Sequence, residues 1–232
     1  MVSLAPLLIL ATALLLGLGH SLDADHVVAV SAILCKCTNL RKSLVSATAW
    51  GTGHSITLLF AGLLILVLSV SIPEKILNLF DAGAGAMLIV LGALIWRPII
   101  IQSIRASQHK NETVTGNHVH IEASSDSHSL NHVHKSIFTG ALQGLGGTAA
   151  LMLVTLAAVN SIELGVVFIT IFCLGVIAGM ILISLGISSV LKYTASHLER
   201  VHEKIMMLTG SISIGFGLFL ILQVVLGLHI YS

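Results

Sequence analysis

The sequence predicts an all-α polytopic membrane protein with about six transmembrane helices in a candidate three-plus-three inverted repeat. Composition is the first reason. The 232 residues are 56% hydrophobic and only 9% charged, with a mean hydropathy of +1.02, where soluble domains carry about 25% charged residues. The apolar runs are the second reason, since several exceed the ~20 residues that a helix needs to cross a ~30 Å hydrocarbon core. The short alternating segments of a transmembrane β-barrel do not occur. The third is a one-sided distribution of Lys and Arg. The formal net charge of +1 says little about partners; membrane lipid is expected and nucleic acid is not.

The first span runs roughly from Leu4 to Leu34, too long for a simple crossing, so a bend is expected within it. Leu44 to Val70 and Lys75 to Ile101 follow, then Ser136 to Val159, Ile162 to Leu191 and Ile205 to His229. Only Asn160 and Ser161 separate the fourth span from the fifth, which calls for a tight helical hairpin. "SIPE" at 71–74 and "NSIE" at 160–163 each place a capping oxygen three residues before a glutamate, a helix-start pattern. The chain thus divides into a first membrane half over 1–101, a polar loop over 102–135 and a second membrane half over 136–232.

Lys36, Arg41 and Lys42 lie in the first loop, Arg97, Arg105, Lys110 and Lys135 in the third, and Lys192, Arg200 and Lys204 in the fifth. Only Lys75 falls on the other side. The positive-inside rule therefore places these loops in the cytoplasm and both termini outside, in a multi-pass protein of the cell membrane. The amino terminus lacks the basic region of a signal peptide and is read as a retained first helix.

"GLGHSLDADHVVAV" from Gly17 aligns without gaps on "GALQGLGGTAALML" from Gly140, matching Gly17 with Gly140, His20 with Gln143 and Leu22 with Leu145. Gly85 and Gly92 in the third span share their spacing with Gly210 and Gly217 in the sixth. An odd number of spans per half would invert the halves, an architecture that places a substrate site near the midplane between them.

His20, Asp23, Asp25 and His26 sit inside the first apolar run. Ionisable groups at the centre of a span cost about 2.5–3.5 kcal/mol each on insertion scales, and they face an interior, paired or lining a pathway. Hydrogen bonding between helices explains four of them together poorly. On a straight helix His20, Asp23 and His26 fall within a sector of about 120°, Asp25 points about 160° away from Asp23, and His20 and His26 stand about 9 Å apart along the axis. One ion cannot collect all four. Either the helix unwinds at Gly17 and Gly19, or the ion passes between partial sites. In the second span His54 and Ser55 follow Gly51 and Gly53, which permit close packing. His54 would then add a third imidazole, while Gln143 and Thr148 occupy the repeat positions facing the cluster and would offer neutral oxygens across the pseudo-two-fold. Imidazole with carboxylate suits a borderline divalent transition metal, where magnesium and calcium favour all-oxygen sites.

"HSLDADH", His20 to His26, resembles the histidine, four residues, aspartate, histidine signature of the nickel/cobalt transporter family, and "GHS" at 53–55 its second motif. The topology is similar to that of short members grouped with urease accessory permeases. The resemblance implies that His20, Asp25 and His26 recognise the metal, with Asp23 and His54 contributing. It also implies Ni2+ or Co2+ as cargo, no permanent cofactor, and a setting in the maturation of urease or another nickel enzyme. Two motifs of longer members are unmatched: "GLGGTAAL" stands at 144–151 and "GMILIS" at 179–184. Those departures bear on selectivity, affinity and coupling.

Between Gln102 and Lys135 lie His109, His118, His120, His128, His132 and His134, half of the twelve histidines. Such a tract has the composition of a disordered metal-binding loop. In an extended chain the two imidazoles of each "HVH", His118 with His120 and His132 with His134, share one side and make a candidate chelator. Cys35 and Cys37 form a CxC after the first span, while "SHLERVHEK" at 196–204 reads as a solvated amphipathic loop. No HExxH or phosphate-binding loop is present, so no enzyme is expected. The expected function is a secondary permease for nickel or cobalt uptake, with an exporter or a membrane subunit of a larger complex as the alternatives.

Overall fold

The computed structural model describes residues 4–35, 37, 39–68, 73–108, 129–145 and 161–227. Among them the regular structure is all helical: α1 Leu4–His20, α2 Ala24–Leu34, α3 Leu40–Leu68, α4 Glu74–Gln108, α5 Ser129–Gln143, α6 Ile162–His197 and α7 Glu199–Leu226. Helices α3, α4, α6 and α7 are each long and apolar enough to cross a bilayer, and α1 with α2 forms one crossing bent by 57°. The remaining span, expected over Ser136–Val159, is represented by α5 and a turn at Gly144 and Leu145; the rest of it lies outside the described residues. Large apolar side chains such as Leu15, Phe60, Leu79, Leu174 and Val225 cover the outer faces, while histidine, serine and glutamine are buried. A protein dissolved in lipid is arranged in this way.

Glycines set the packing, and they do so twice over. A Cβ on Gly17 would overlap the Phe172 carbonyl, and one on Gly175 would meet the Leu14 carbonyl, so α1 and α6 run parallel with their backbones touching. A Cβ on Gly140 would overlap the Trp50 carbonyl and one on Gly53 the Ile137 carbonyl, which puts α5 parallel to α3 in the same way. With Gly17 aligned on Gly140, Leu14 falls on Ile137. Gly85 and Gly92 of α4 lie against Gly217 and Gly210 of the antiparallel α7. Each contact has its counterpart under exchange of the halves, the two-fold pattern of an inverted repeat. Small residues at such crossings let helices approach closely where no hydrophobic effect drives them together. The first crossing therefore packs mainly on α6 of the other half, α5 packs mainly on α3, and the halves are interlaced.

The bend differs in place from the one the glycines suggest. Helix α1 continues through Gly17 and Gly19 and breaks at Ser21–Asp23, where Leu22 N–H bonds to the Gly19 carbonyl and Asp23 N–H to the His20 carbonyl. Gly17 is spent on packing against α6, and Asp23 takes the position before α2 with φ −57° and ψ 144°. Ser and Asp favour such ends because their side chains compete with helical backbone bonds. Helix α5 ends at Gln143, the repeat counterpart of His20, so α1 and α5 end at corresponding positions.

Other expectations shift slightly. In "NSIE" the cap of α6 is Ser161, whose Oγ accepts a hydrogen bond from Leu164 N–H, and not Asn160; Ser71 of "SIPE" lies outside the described residues. "SHLERVHEK" is a corner and not a loop, with Leu198 alone between α6 and α7. Helices α4 and α5 extend into the 102–135 segment from both ends, because backbone bonding continues wherever the sequence allows a helix, in lipid or in water.

Candidate metal centre

The break in the first crossing places His20 at the end of α1 and His26 in the first turn of α2, with their ring centroids 4.7 Å apart. The close α3–α5 crossing and a hydrogen bond from Ser55 Oγ to the Cys173 carbonyl, 3.4 Å, hold α3 so that His54 completes a triangle. Its ring lies 5.2 Å from His20 and 4.8 Å from His26. His26 and His54 are fully buried and His20 nearly so. One ligand atom from each of the three lies within 4.8 Å of those of the others. His20 Nε2 and His54 Nε2 are 3.1 Å apart.

Two nitrogens about 2.1 Å from one ion stand about 3.0 Å apart at a right angle and about 3.4 Å apart at the tetrahedral angle. The two nitrogens share a hydrogen bond here, at a distance that also falls within the range for two ligands of one ion. His26 Nε2 and His54 Nδ1 make no hydrogen bond, and buried polar nitrogens are rarely left so.

The carboxylates stand behind the rings. Asp23 Oδ2 lies 2.9 Å from His20 Nδ1, and Asp25 Oδ1 lies 2.8 Å from His26 Nδ1. A carboxylate on one ring nitrogen fixes the tautomer and turns the other nitrogen toward a ligand. The helical wheel separates Asp23 from Asp25, but Asp23 precedes α2, so the wheel does not apply to it; Asp23, Asp25 and His26 form a second close group.

Gln143 is buried beneath the centre, its Oε1 accepting from Trp50 Nε1 at 3.1 Å and its Nε2 donating to the Asp25 carbonyl at 3.3 Å. The indole N–H can only donate, which fixes the amide's orientation. Gln143 therefore braces the centre, and its oxygen is already engaged. Ser55 ties α3 to α6. Thr148, His118 and His120 lie outside the described residues. His132 and His134 fall within α5 and not in an extended chain.

Sequence reading missed the aromatic wall. Trp50 is fully buried, stacks on His54 at 5.1 Å and 15°, and meets His26 edge-on at 5.0 Å, while Phe172 lies 5.5 Å from His20. Trp50 stands four residues before His54, the spacing of neighbours on one helix face.

No family model and no solved structure matches the chain. Over 210 residues, 90% of this chain and 89% of the relative, it is 29% identical to the urease accessory protein UreH of Bacillus sp. (strain TB-90). The chain is a relative of a urease accessory protein. It is also 25% identical over 218 residues to the chloroplast protein FOR GROWTH AND FERTILITY 2 of Arabidopsis thaliana, covering 93% of this chain and 56% of that one. The resemblance to the urease accessory branch therefore extends across the membrane region and does not rest on "HSLDADH" alone.

Proposed function

We propose that this protein is a secondary permease that takes up nickel or cobalt ions through the three-histidine centre. The observation that carries the reading is the convergence of three buried imidazoles, two of them with unbonded ring nitrogens, inside a helical membrane protein. The donor chemistry supports it, since imidazole suits these ions and two carboxylates stand ready to orient the rings. The similarity to a urease accessory protein supports a role in supplying nickel to that enzyme or a like one. In this reading His20, His26 and His54 hold the ion as transported substrate and Asp23 and Asp25 support them. The ends of α3, α6 and α7 that carry Lys and Arg face the cytoplasm, as does the histidine-rich segment with His118 and His120 as chelators.

Metal accumulation in cells expressing the chain alone tests the reading. Cellular nickel or cobalt should rise severalfold over cells carrying an empty vector. A fall would make the protein an exporter, and an unchanged level would make it a subunit that needs its partners.

Selectivity offers a second measurement. Affinity alone favours copper over nickel and cobalt, so a nickel or cobalt carrier must impose geometry. Imidazoles and carboxylates at a helix break can surround a tetragonal or octahedral ion better than the tetrahedral ion that zinc favours. Zinc is expected to inhibit nickel uptake less than cobalt does at equal concentration. Equal inhibition would replace this reading with a broad divalent carrier.

A further inference from the structure

At the end of the helices where the basic residues gather, a cavity of about 840 Å3 lies between the α2–α3 turn and the α6–α7 corner. Its wall carries both cysteines of the CxC, Cys35 and Cys37, together with His202 from the corner. His202 Nδ1 lies 3.2 Å from Thr194 Oγ1, which leaves Nε2 as a ligand atom with its partner nitrogen already oriented. Ser188 also lines the cavity; it is 8% exposed and its hydroxyl has no hydrogen-bond partner. One turn earlier on α6 the fully buried Ser184 hydroxyl is unpartnered as well. Five residues before that, Gly179 lies against the Ser21 side chain at the break beside His20. The distance from Gly179 to Ser188 along the helix is about 14 Å. Unpartnered hydroxyls are out of place in a packed interior, but they suit a route taken by a hydrated ion.

We propose that this cavity is a second metal-binding site, where Cys35, Cys37 and His202 receive a borderline divalent transition-metal ion travelling between the three-histidine centre and water, past Ser184 and Ser188. The inference rests on the permease reading and adds a stopping place to it. Sulfur and imidazole donors select the same class of ion and exclude magnesium and calcium. The donors ring the cavity without meeting at a point, since the close donor groups among the described residues are those around His20 and His26. A site of that kind binds loosely and releases readily.

The test uses purified full-length protein in detergent, with Co2+ alone as the probe. Saturating Co2+ should slow maleimide alkylation of Cys35 and Cys37 about tenfold, because a coordinated thiolate is no longer available as a nucleophile. A sulfur-to-cobalt charge-transfer band should appear with it and vanish in the C35S/C37S double variant. Cys173, buried between α3 and α6, serves as the internal control. Unchanged alkylation of the intact protein, with no band, would overturn the second site, and this outcome does not depend on any variant folding. In His20→Ala, protection and band should both persist; their loss would show one site and not two. Persistence together with normal transport by His20→Ala would leave the cavity site standing and remove the three-histidine centre from the mechanism.

Discussion

Alanine in place of His20, His26 or His54 is expected to abolish metal transport and to leave the protein in the membrane at its normal level. Each residue supplies one corner of a three-nitrogen set, so losing one leaves an ion two ligands and solvent. The fold should tolerate the change. The helix crossings are set by the glycine contacts, and His26 Nε2 and His54 Nδ1 make no hydrogen bond that the change would break. Asp23→Asn is the graded companion: it keeps the shape but weakens the hold on His20 Nδ1 and should lower metal affinity about ten- to hundredfold. Uptake of radiolabelled nickel, set against membrane protein detected by immunoblot, reads both effects. Normal uptake by any one of the three alanine variants would sink the three-histidine model.

Valine in place of Gly53 or Gly140 should prevent the protein from reaching a stable fold. At both positions even a Cβ would overlap a carbonyl of the facing helix, Ile137 or Trp50, and a carbonyl cannot rotate away as a side chain can. Overpacking costs about 1–3 kcal/mol where side chains absorb it, and this case lies above that range. Either change would also push α3 from α5 and carry His54 away from its partners. Gly19→Ala is the control. Nothing lies within 4 Å of its added carbon, and alanine is favoured over glycine in a helix by about 1 kcal/mol. Thermal unfolding in detergent should separate them, with Gly19→Ala at or above the parent and the valine variants far below. A parent-like transition for Gly53→Val would mean that the crossing is looser than its geometry implies.

Much of this architecture could be read from residue types. Apolar length located four crossings and the bent first one, since hydrocarbon thickness leaves little freedom, although helices run up to seven residues past the expected ends and most of the fourth span lies outside the described residues. His20, His26 and His54 stood out because ionisable groups are expensive in lipid. Their mutual arrangement could not be read, since it depends on where the first helix breaks. Gly17 and Gly19 look alike in sequence, but Gly17 is fixed by a facing carbonyl and Gly19 faces nothing. Only the position of α6 tells them apart. Gln143 likewise looked like an oxygen offered to the ion, whereas its partners Trp50 and Asp25 are distant in sequence. The glycine alignment of the halves was visible in outline, but the packing of α1 on α6 was not, because alignment shows what corresponds and says nothing of what touches.

The interlacing of the halves bears on how the protein is made. Translation delivers the first crossing to the bilayer long before Phe172 and Gly175, the residues its glycine face fits, have left the ribosome. Until then the newborn helix, with two carboxylates and two imidazoles at its break, must wait among lipids or in the care of the insertion machinery. A ribosome that stalls before Ile162 therefore releases a fragment whose first helix has no mate. The same constraint falls on evolution: a gene cut in the polar segment would encode two pieces that must be inserted side by side and thread into one another, and neither could be lost or replaced alone.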